Sequence, residues 1–314
     1  DFEKNIREIK SDTFIMLHVD SNKFVLEQLN KHKVPYVKFM WGSQPAYNKS
    51  IKDIIKYSIL FPINFVFQII TKIEIYITNK SKKPVMIFCS GSDYYNSLKK
   101  LYKKKTKIIK MPSLEYDKFI LNKINNKPSI KQKKKGYAVY IDVPCRHSDQ
   151  DNSKKRFPPE TPCSYKNYYD PLNNFFKQFI KITRLRLKIS AHPRSGYKKN
   201  PYKYGKLYFG KTNKLVSKAS VILVHSSLAH NYAILYKKPV IFLTQKNFTY
   251  SNKQNVFNLA CFFKKSPLDI IEDKFDIKRF KEELKIDKQL YISYKNRFIA
   301  EKNFNFPSYK IVYE

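Results

Sequence analysis

Read from its N-terminus, the chain repeats one rhythm: a short run of apolar, often β-branched residues, then a stretch whose apolar positions recur at helical spacing. Thr13–Val19, Val34–Met40, Pro84–Cys89 and Lys107–Met111 have the length and make-up of strands. Strands alternating with helical stretches predict an open α/β sheet. Between Asn122 and Lys135 the periodicity stops and Lys and Asn take over (NKINNKPSIKQKKK), as in an exposed connector.

The rhythm restarts at Tyr137–Val143. It predicts a helix over Pro171–Arg184, strands Leu185–Ser190 and Lys206–Phe209, and a helix opening at Thr212. A strand Val221–Val224, a helix from Ser226 to about Tyr236 and a strand Pro239–Thr244 follow. Such βα steps in succession predict a second parallel sheet, with ligands bound beyond the strand C-termini. The expected organisation is one α/β domain in residues 1–130, a second in 131–290, and a segment 291–314 aromatic enough to pack back on the body. No internal repeat is present.

Composition widens the field before motifs narrow it. The chain has 314 residues with 42% hydrophobic content, enough for two ordinary cores. Its 62 Lys and Arg against 25 Asp and Glu give a formal charge of +37, which suits nucleic acid, an anionic membrane surface or an acidic substrate alike. The lysines are spread through both halves, so charge alone does not choose. Cys89, Cys145, Cys163 and Cys261 lack zinc-site spacing and disulfide-scaffold density, and are expected to be reduced thiols. No secretory signal is visible, and a cytoplasmic protein peripheral to the inner membrane is expected. The apolar stretch Tyr57–Ile70 is too short for a spanning helix and is interrupted by Pro62, Asn64 and Gln68. It reads as a buried element or, flanked by Lys52, Lys56 and Lys72, as an interfacial helix on anionic lipid.

Candidate chemistry gathers at the strand ends of the second half. In Leu187–Arg194 (LKISAHPR) an apolar strand delivers His192 and Arg194 to its C-terminal edge, and Pro193 stops it. Imidazole donates to a phosphate oxygen, and a guanidinium fork binds phosphate or carboxylate. In Val221–Ser227 (VILVHSS) the strand ends on His225, Ser226 and Ser227, whose hydroxyls and backbone N–H groups suit an anion. A serine there is also a common helix N-cap. Tyr137–Asp142 ends a strand on a carboxylate, making Asp142 the candidate catalytic group, as general base or as nucleophile.

Two further strings carry familiar letters. Gly205–Thr212 (GKLYFGKT) matches the phosphate-loop pattern, but no hydrophobic strand precedes it and its interior itself reads as a strand. Asp149-Gln150-Asp151 has the spacing of a metal-holding acidic motif. It lies in a polar loop, Val143–Phe157, with Arg146, His147, Lys154, Lys155 and Arg156; its acids are paired or solvated there, or the loop is a lid over the donor carrying Arg146, His147 and Asp149.

His192-Pro193 and Ser226-Ser227 resemble, in order and spacing, the HP and paired-serine motifs of bacterial sialyltransferases of the GT-B fold. The strings Ala191–Ser195, Gly210–Thr212, Leu215-Val216, His225–Ser227 and Tyr236–Phe242 are similar to a group of transferases found with surface-polysaccharide assembly genes. The resemblance covers about a third of the chain. It implies two Rossmann-like domains facing across a cleft, the N-terminal one binding a glycan or lipid-linked acceptor. It further implies a CMP-activated acidic sugar as donor (sialic, legionaminic, pseudaminic acid or Kdo type), with no metal and no cofactor. Asp142 and His192 would be catalytic, and Arg194, Thr212, His225, Ser226 and Ser227 would hold the donor phosphate. The acidic-acidic-glycine motif of those sialyltransferases is missing, since Val143-Pro144 follows Asp142. A transferase or epimerase acting on a UDP- or GDP-sugar is the alternative expectation. A nucleic-acid-binding protein is a third; it lacks any RNA- or DNA-binding signature, so nucleic acid is not the expected partner.

Overall fold

The computed structural model describes residues 15–18, 23–42, 44–45, 66, 69–70, 84–102, 106–125, 136–143, 164–248 and 250–313. It divides into two compact units. Unit 1 comprises Asp1–Ser43, Phe65–Asp117 and Lys295–Glu314; unit 2 comprises Gln44–Asn64 and Lys118–Tyr294.

Unit 1 is built on strands β1 (Ile15–His18), β2 (Tyr36–Met40), β3 (Met86–Ser90) and β4 (Lys107–Met111), which pair in parallel in that order. Alternate residues of β3 face opposite sides. Ile87 and Cys89 pack with Leu98 and Tyr102 of helix α1 (Ser92–Tyr102), whereas Phe88 joins Phe39 and Met111 on the other face. Ile311 and Val312 cover that second face from the short helix Tyr309–Tyr313. The C-terminal residues are also tied by polar contacts. Arg297 forms a forked pair with Asp93 (Nη2–Oδ2 2.6 Å), and the backbone N–H of Ser308 donates to Asp117 at 2.8 Å. Gly91, at φ 79°, lies so close to this segment that an added Cβ would sit 2.2 Å from the Arg297 carbonyl oxygen, which no other residue tolerates.

Unit 2 carries strands β5 (Tyr137–Ile141), β6 (Arg186–Ser190), β7 (Lys206–Tyr208), β8 (Val221–Val224), β9 (Val240–Thr244) and β10 (Leu268–Asp269) in one parallel sheet ordered β10-β9-β8-β5-β6-β7. From β5 the chain winds one way to β6 and β7, then crosses to the other side for β8, β9 and β10. That reversal is the switch point at which open α/β sheets form a crevice beyond the strand ends. The long helix Tyr165–Thr183 supplies Tyr168, Leu172, Phe175, Phe176 and Phe179, which are buried against Ala138, Tyr140, Leu187, Ile189, Leu223 and Leu243.

Every expected strand is present; Thr13, Phe14 and Val19 at the ends of the first lie outside the described residues, and the others are shortened by at most two residues at either end or extended by one. Two helices differ. The one expected from Pro171 begins six residues earlier, because Ser164 caps it by accepting from the Asn167 N–H at 3.2 Å. Pro171 is therefore interior, and the carbonyl its missing N–H would have bonded, that of Asn167, accepts instead from Asn247 Nδ2 at 3.2 Å. The helix expected from Ser226 to Tyr236 is a 3-10 turn, Leu228–His230, followed by a helix of five residues, Asn231–Leu235. The interior of Gly205–Thr212 is strand β7, so this stretch is no phosphate loop. No helix among the described residues is long and apolar enough to cross a membrane. Most of Tyr57–Ile70, the loop from 144 to 157 with Arg146, His147 and Asp149, and Cys145 and Cys163 lie outside the described residues. Cys89, buried, and Cys261, exposed, are free thiols.

Candidate functional site

The C-terminal ends of β6, β5 and β8 lie side by side, since Ile141 pairs with Ser190 on one flank and with Val224 on the other. One residue further, the three strands present Ala191, Asp142 and His225. Four of the expected site residues, His192, Arg194, Ser226 and Ser227, belong to the turns that continue from the two flanking strands.

After β6 the chain makes a tight turn. The carbonyl of His192 accepts from the Ser195 backbone N–H (2.9 Å) and from Ser195 Oγ (2.6 Å), with Pro193 at the second position that suits its fixed φ. The Arg194 backbone N–H donates to His192 Nδ1 at 3.1 Å. This bond makes Nδ1 an acceptor and leaves the ring proton on Nε2, so the imidazole presents a neutral donor. Arg194 is exposed.

Asp142 points inward, at 1% exposure. Its Oδ2 accepts from the His192 backbone N–H (3.1 Å) and from the Tyr197 hydroxyl (2.9 Å), and its Oδ1 from the Tyr202 hydroxyl (2.7 Å). Because Tyr197 donates to Asp142, it accepts from Tyr169 at 3.0 Å, which extends the network to the long helix. Burial chiefly raises both Tyr197 and Tyr202, and the neighbouring Asp142 charge adds to each, so both hydroxyls stay protonated donors. The carboxylate thereby fastens the His192 turn to the core. Thr212 is likewise engaged, its Oγ1 lying 2.7 Å from Ser190 Oγ.

After β8, His225 is buried at 1% exposure, its ring packed edge-on against Phe248 (4.7 Å between centroids) and Tyr140 (5.7 Å). Its Nδ1 meets the Leu243 carbonyl at 2.7 Å, which only a ring N–H can satisfy. Burial pushes it down to about 4, so it is neutral at pH 7. Ser226 Oγ donates to Gln44 Oε1 at 3.3 Å, within unit 2. Ser227 caps the following turn, accepting from the Ala229 N–H at 3.3 Å. The Ser227 carbonyl accepts from the His230 N–H and from His230 Nδ1, while His230 Nε2 accepts from the Tyr294 hydroxyl at 2.7 Å.

Sequence reasoning missed His230, Tyr197, Tyr202 and Gln245. The first three position the site rather than face it, and their signal lies only in three-dimensional contact. Gln245 follows β9 on the sheet face that carries His225. It is fully buried, and its two amide atoms, like His225 Nε2, have no hydrogen-bond partner among the described residues. Buried polar atoms left open at a strand edge mark a place where a ligand or water completes the set. Among the described residues no cluster of three or more His, Cys, Asp or Glu side chains is present.

No family model matches the chain, and no curated protein matches it. Solved structures do. The UDP-GlcNAc 2-epimerase of Neisseria meningitidis bound to UDP-GlcNAc is 14% identical, with 99% of this chain and 79% of that one covered at a TM-score of 0.53. MnaA from S. aureus with UDP is 14% identical, at 99% and 75% coverage and a TM-score of 0.51. The Methanocaldococcus jannaschii UDP-GlcNAc 2-epimerase with UDP-GlcNAc and UDP is 13% identical, at 99% and 78% coverage and a TM-score of 0.52. At such identity the likeness is one of fold: this chain has the parallel α/β fold of the GT-B type. Two of those structures hold UDP-GlcNAc and two hold UDP. The likeness carries nothing specific to sialyltransferases or to a CMP-linked donor.

Proposed function

We propose that the chain is an enzyme acting on a nucleoside-diphosphate sugar, with uridine the leading base, as a glycosyltransferase or an epimerase. The observation that carries this reading is the pair of turns flanking β5. The His192 turn presents an imidazole N–H donor and the Arg194 guanidinium, and the Ser226-Ser227 turn presents a hydroxyl and backbone N–H groups, all at the switch point of the sheet. These groups suit an anion such as a diphosphate, and oriented donors around a departing phosphate lower the barrier electrostatically. Asp142 in this reading is a positioning residue: buried and accepting three hydrogen bonds, it fixes the His192 turn. Thr212 serves the same end through Ser190, and His225 acts as a neutral packing group behind the serine turn. The three solved structures above contain UDP or UDP-GlcNAc, which supports the uridine choice.

A second reading, a CMP-activated acidic sugar as donor, is favoured by the His192-Pro193 and Ser226-Ser227 pairs and by Arg194, which would meet a sugar carboxylate. Calorimetric titration with UDP, GDP, CDP and CMP in metal-free buffer separates the two. UDP binding that weakens at least tenfold in His192→Ala and Ser226→Ala supports the proposal. Selective CMP binding moves the assignment to the second reading, and binding of no nucleotide removes both.

A further inference from the structure

Between Asp170 and Asp269 the chain runs for 98 residues without a single Asp or Glu while carrying 19 Lys and Arg. The whole molecule averages one acid for every two or three bases, so this stretch is set apart from the general lysine bias. About half of unit 2 falls within it, and the fold concentrates part of its charge at one place. On strand β6, Arg186 and Lys188 alternate with the buried Leu187 and Ile189, so both lie on the sheet face turned away from the long helix Tyr165–Thr183. Lys188 Nζ sits 3.7 Å from the ring centre of Tyr137 and 5.7 Å from that of Tyr208. Lys206 Nζ stands 5.9 Å from the same Tyr208 ring, on the edge strand β7. Lys218 closes the group. Burial chiefly, and then the like charges of Arg186 and Lys218, lower the Lys188 ammonium from its ordinary value. Among the described residues none of these four cations forms an ion pair with a carboxylate.

Four cations held together without an acid are a cost to the folded chain that an external anion relieves. We propose that this face of unit 2, centred on Arg186, Lys188, Lys206 and Lys218 around Tyr137 and Tyr208, docks the protein on the surface of an anionic lipid bilayer. Two features favour a bilayer over a nucleic acid. The acid-free charge is broad, matching a planar array of headgroup phosphates. The two tyrosine rings, which a single-stranded nucleic acid would use for stacking, are half-buried and already covered by ammonium groups. The four cations are none of the groups assigned to the proposed nucleotide site, His192, Arg194, Ser226 and Ser227.

The test is co-sedimentation of the full chain with vesicles of phosphatidylcholine alone, or of phosphatidylcholine with about a third phosphatidylglycerol. The protein is expected to bind the mixed vesicles, ignore the neutral ones and be released by high salt. Substituting Arg186, Lys188, Lys206 and Lys218 by Gln is expected to weaken binding at least tenfold. A control with the same change in net charge, Lys274, Lys278, Lys281 and Lys285 to Gln, should stay within about twofold. Lys188 is packed on a ring, so R186Q/K218Q serves as a milder variant in which loss of fold cannot mimic loss of docking. Equal losses in the patch and control variants would overturn the proposal. So would undiminished vesicle binding by the patch variants, or tighter binding of a poly-uridine RNA that depends on the four cations while vesicle binding does not.

Discussion

At the scale of single residues, the site rests on two buried histidines. His225 and His230 are both pushed by burial from 6.5 down to about 4. A base whose folded value is depressed is protonated first in the unfolded chain, so its contribution to stability is complete above pH 6.5 and is lost as pH falls towards 4. By pH 5 each histidine should have given up roughly 2 kcal/mol. Urea midpoints measured from pH 7.5 to 5 should fall steeply in the parent chain and about half as steeply in His230→Asn; an identical slope in the two would contradict the assignment. The sequence made His192, Arg194 and Ser226 legible, because a strand ending in polar residues is a local pattern. It could not show that the Asp142 side chain turns inward, since its three donors come from positions 50 to 60 residues away. Nor could it show His230, spaced as an ordinary helical residue, reaching Tyr294.

At the scale of elements, strands were more readable than helices. A parallel strand is a compact apolar run, and β4 and β8 coincide with theirs to the residue. Helix limits depend on single caps and breakers. Pro171 reads as a first helical position, where its missing N–H costs nothing, but the Ser164 cap starts the helix upstream and leaves the Asn167 carbonyl to Asn247. That substitution of partners predicts a coupling. Asn247→Ala should destabilise the parent by about 0.5 to 1 kcal/mol. In a Pro171→Ala background, where residue 171 regains its N–H, the same change should cost close to nothing. A double-mutant cycle read by chemical denaturation checks this, and additive effects would show that the Asn247 bond does not replace the missing one. The split of the helix after Ser227 has a comparable cause: His230 N and Nδ1 both serve the Ser227 carbonyl, which tightens the first turn into a 3-10 form.

At the scale of the whole molecule, a linear reading sees neighbours in sequence, whereas unit 1 is assembled from three separate segments. Nothing local in Ile311 and Val312 announces that they cover Phe39, Phe88 and Met111. Removing residues 295–314 would take away that cover together with the Arg297–Asp93 and Ser308–Asp117 links. Hydrogen exchange should then quicken at least tenfold in Met86–Ser90 and stay unchanged in Val221–Val224. Uniform acceleration of both strands would mean that the two units do not stabilise themselves separately.

The same three-part assembly sets an order in time. Ribosomes deliver residues from the N-terminus, and domains generally fold as their chain becomes available. Unit 2 has all its residues once Tyr294 has emerged, but unit 1, though its first residues precede those of unit 2, waits for its last twenty. The part made first is therefore finished last, with the apolar face of β3 and β4 uncovered until synthesis reaches Ile311 and Val312. Protease pulses on nascent chains stalled with Tyr294 just outside the ribosome should find Val221–Val224 protected and Met86–Ser90 cleavable, the reverse of the usual front-to-back sequence.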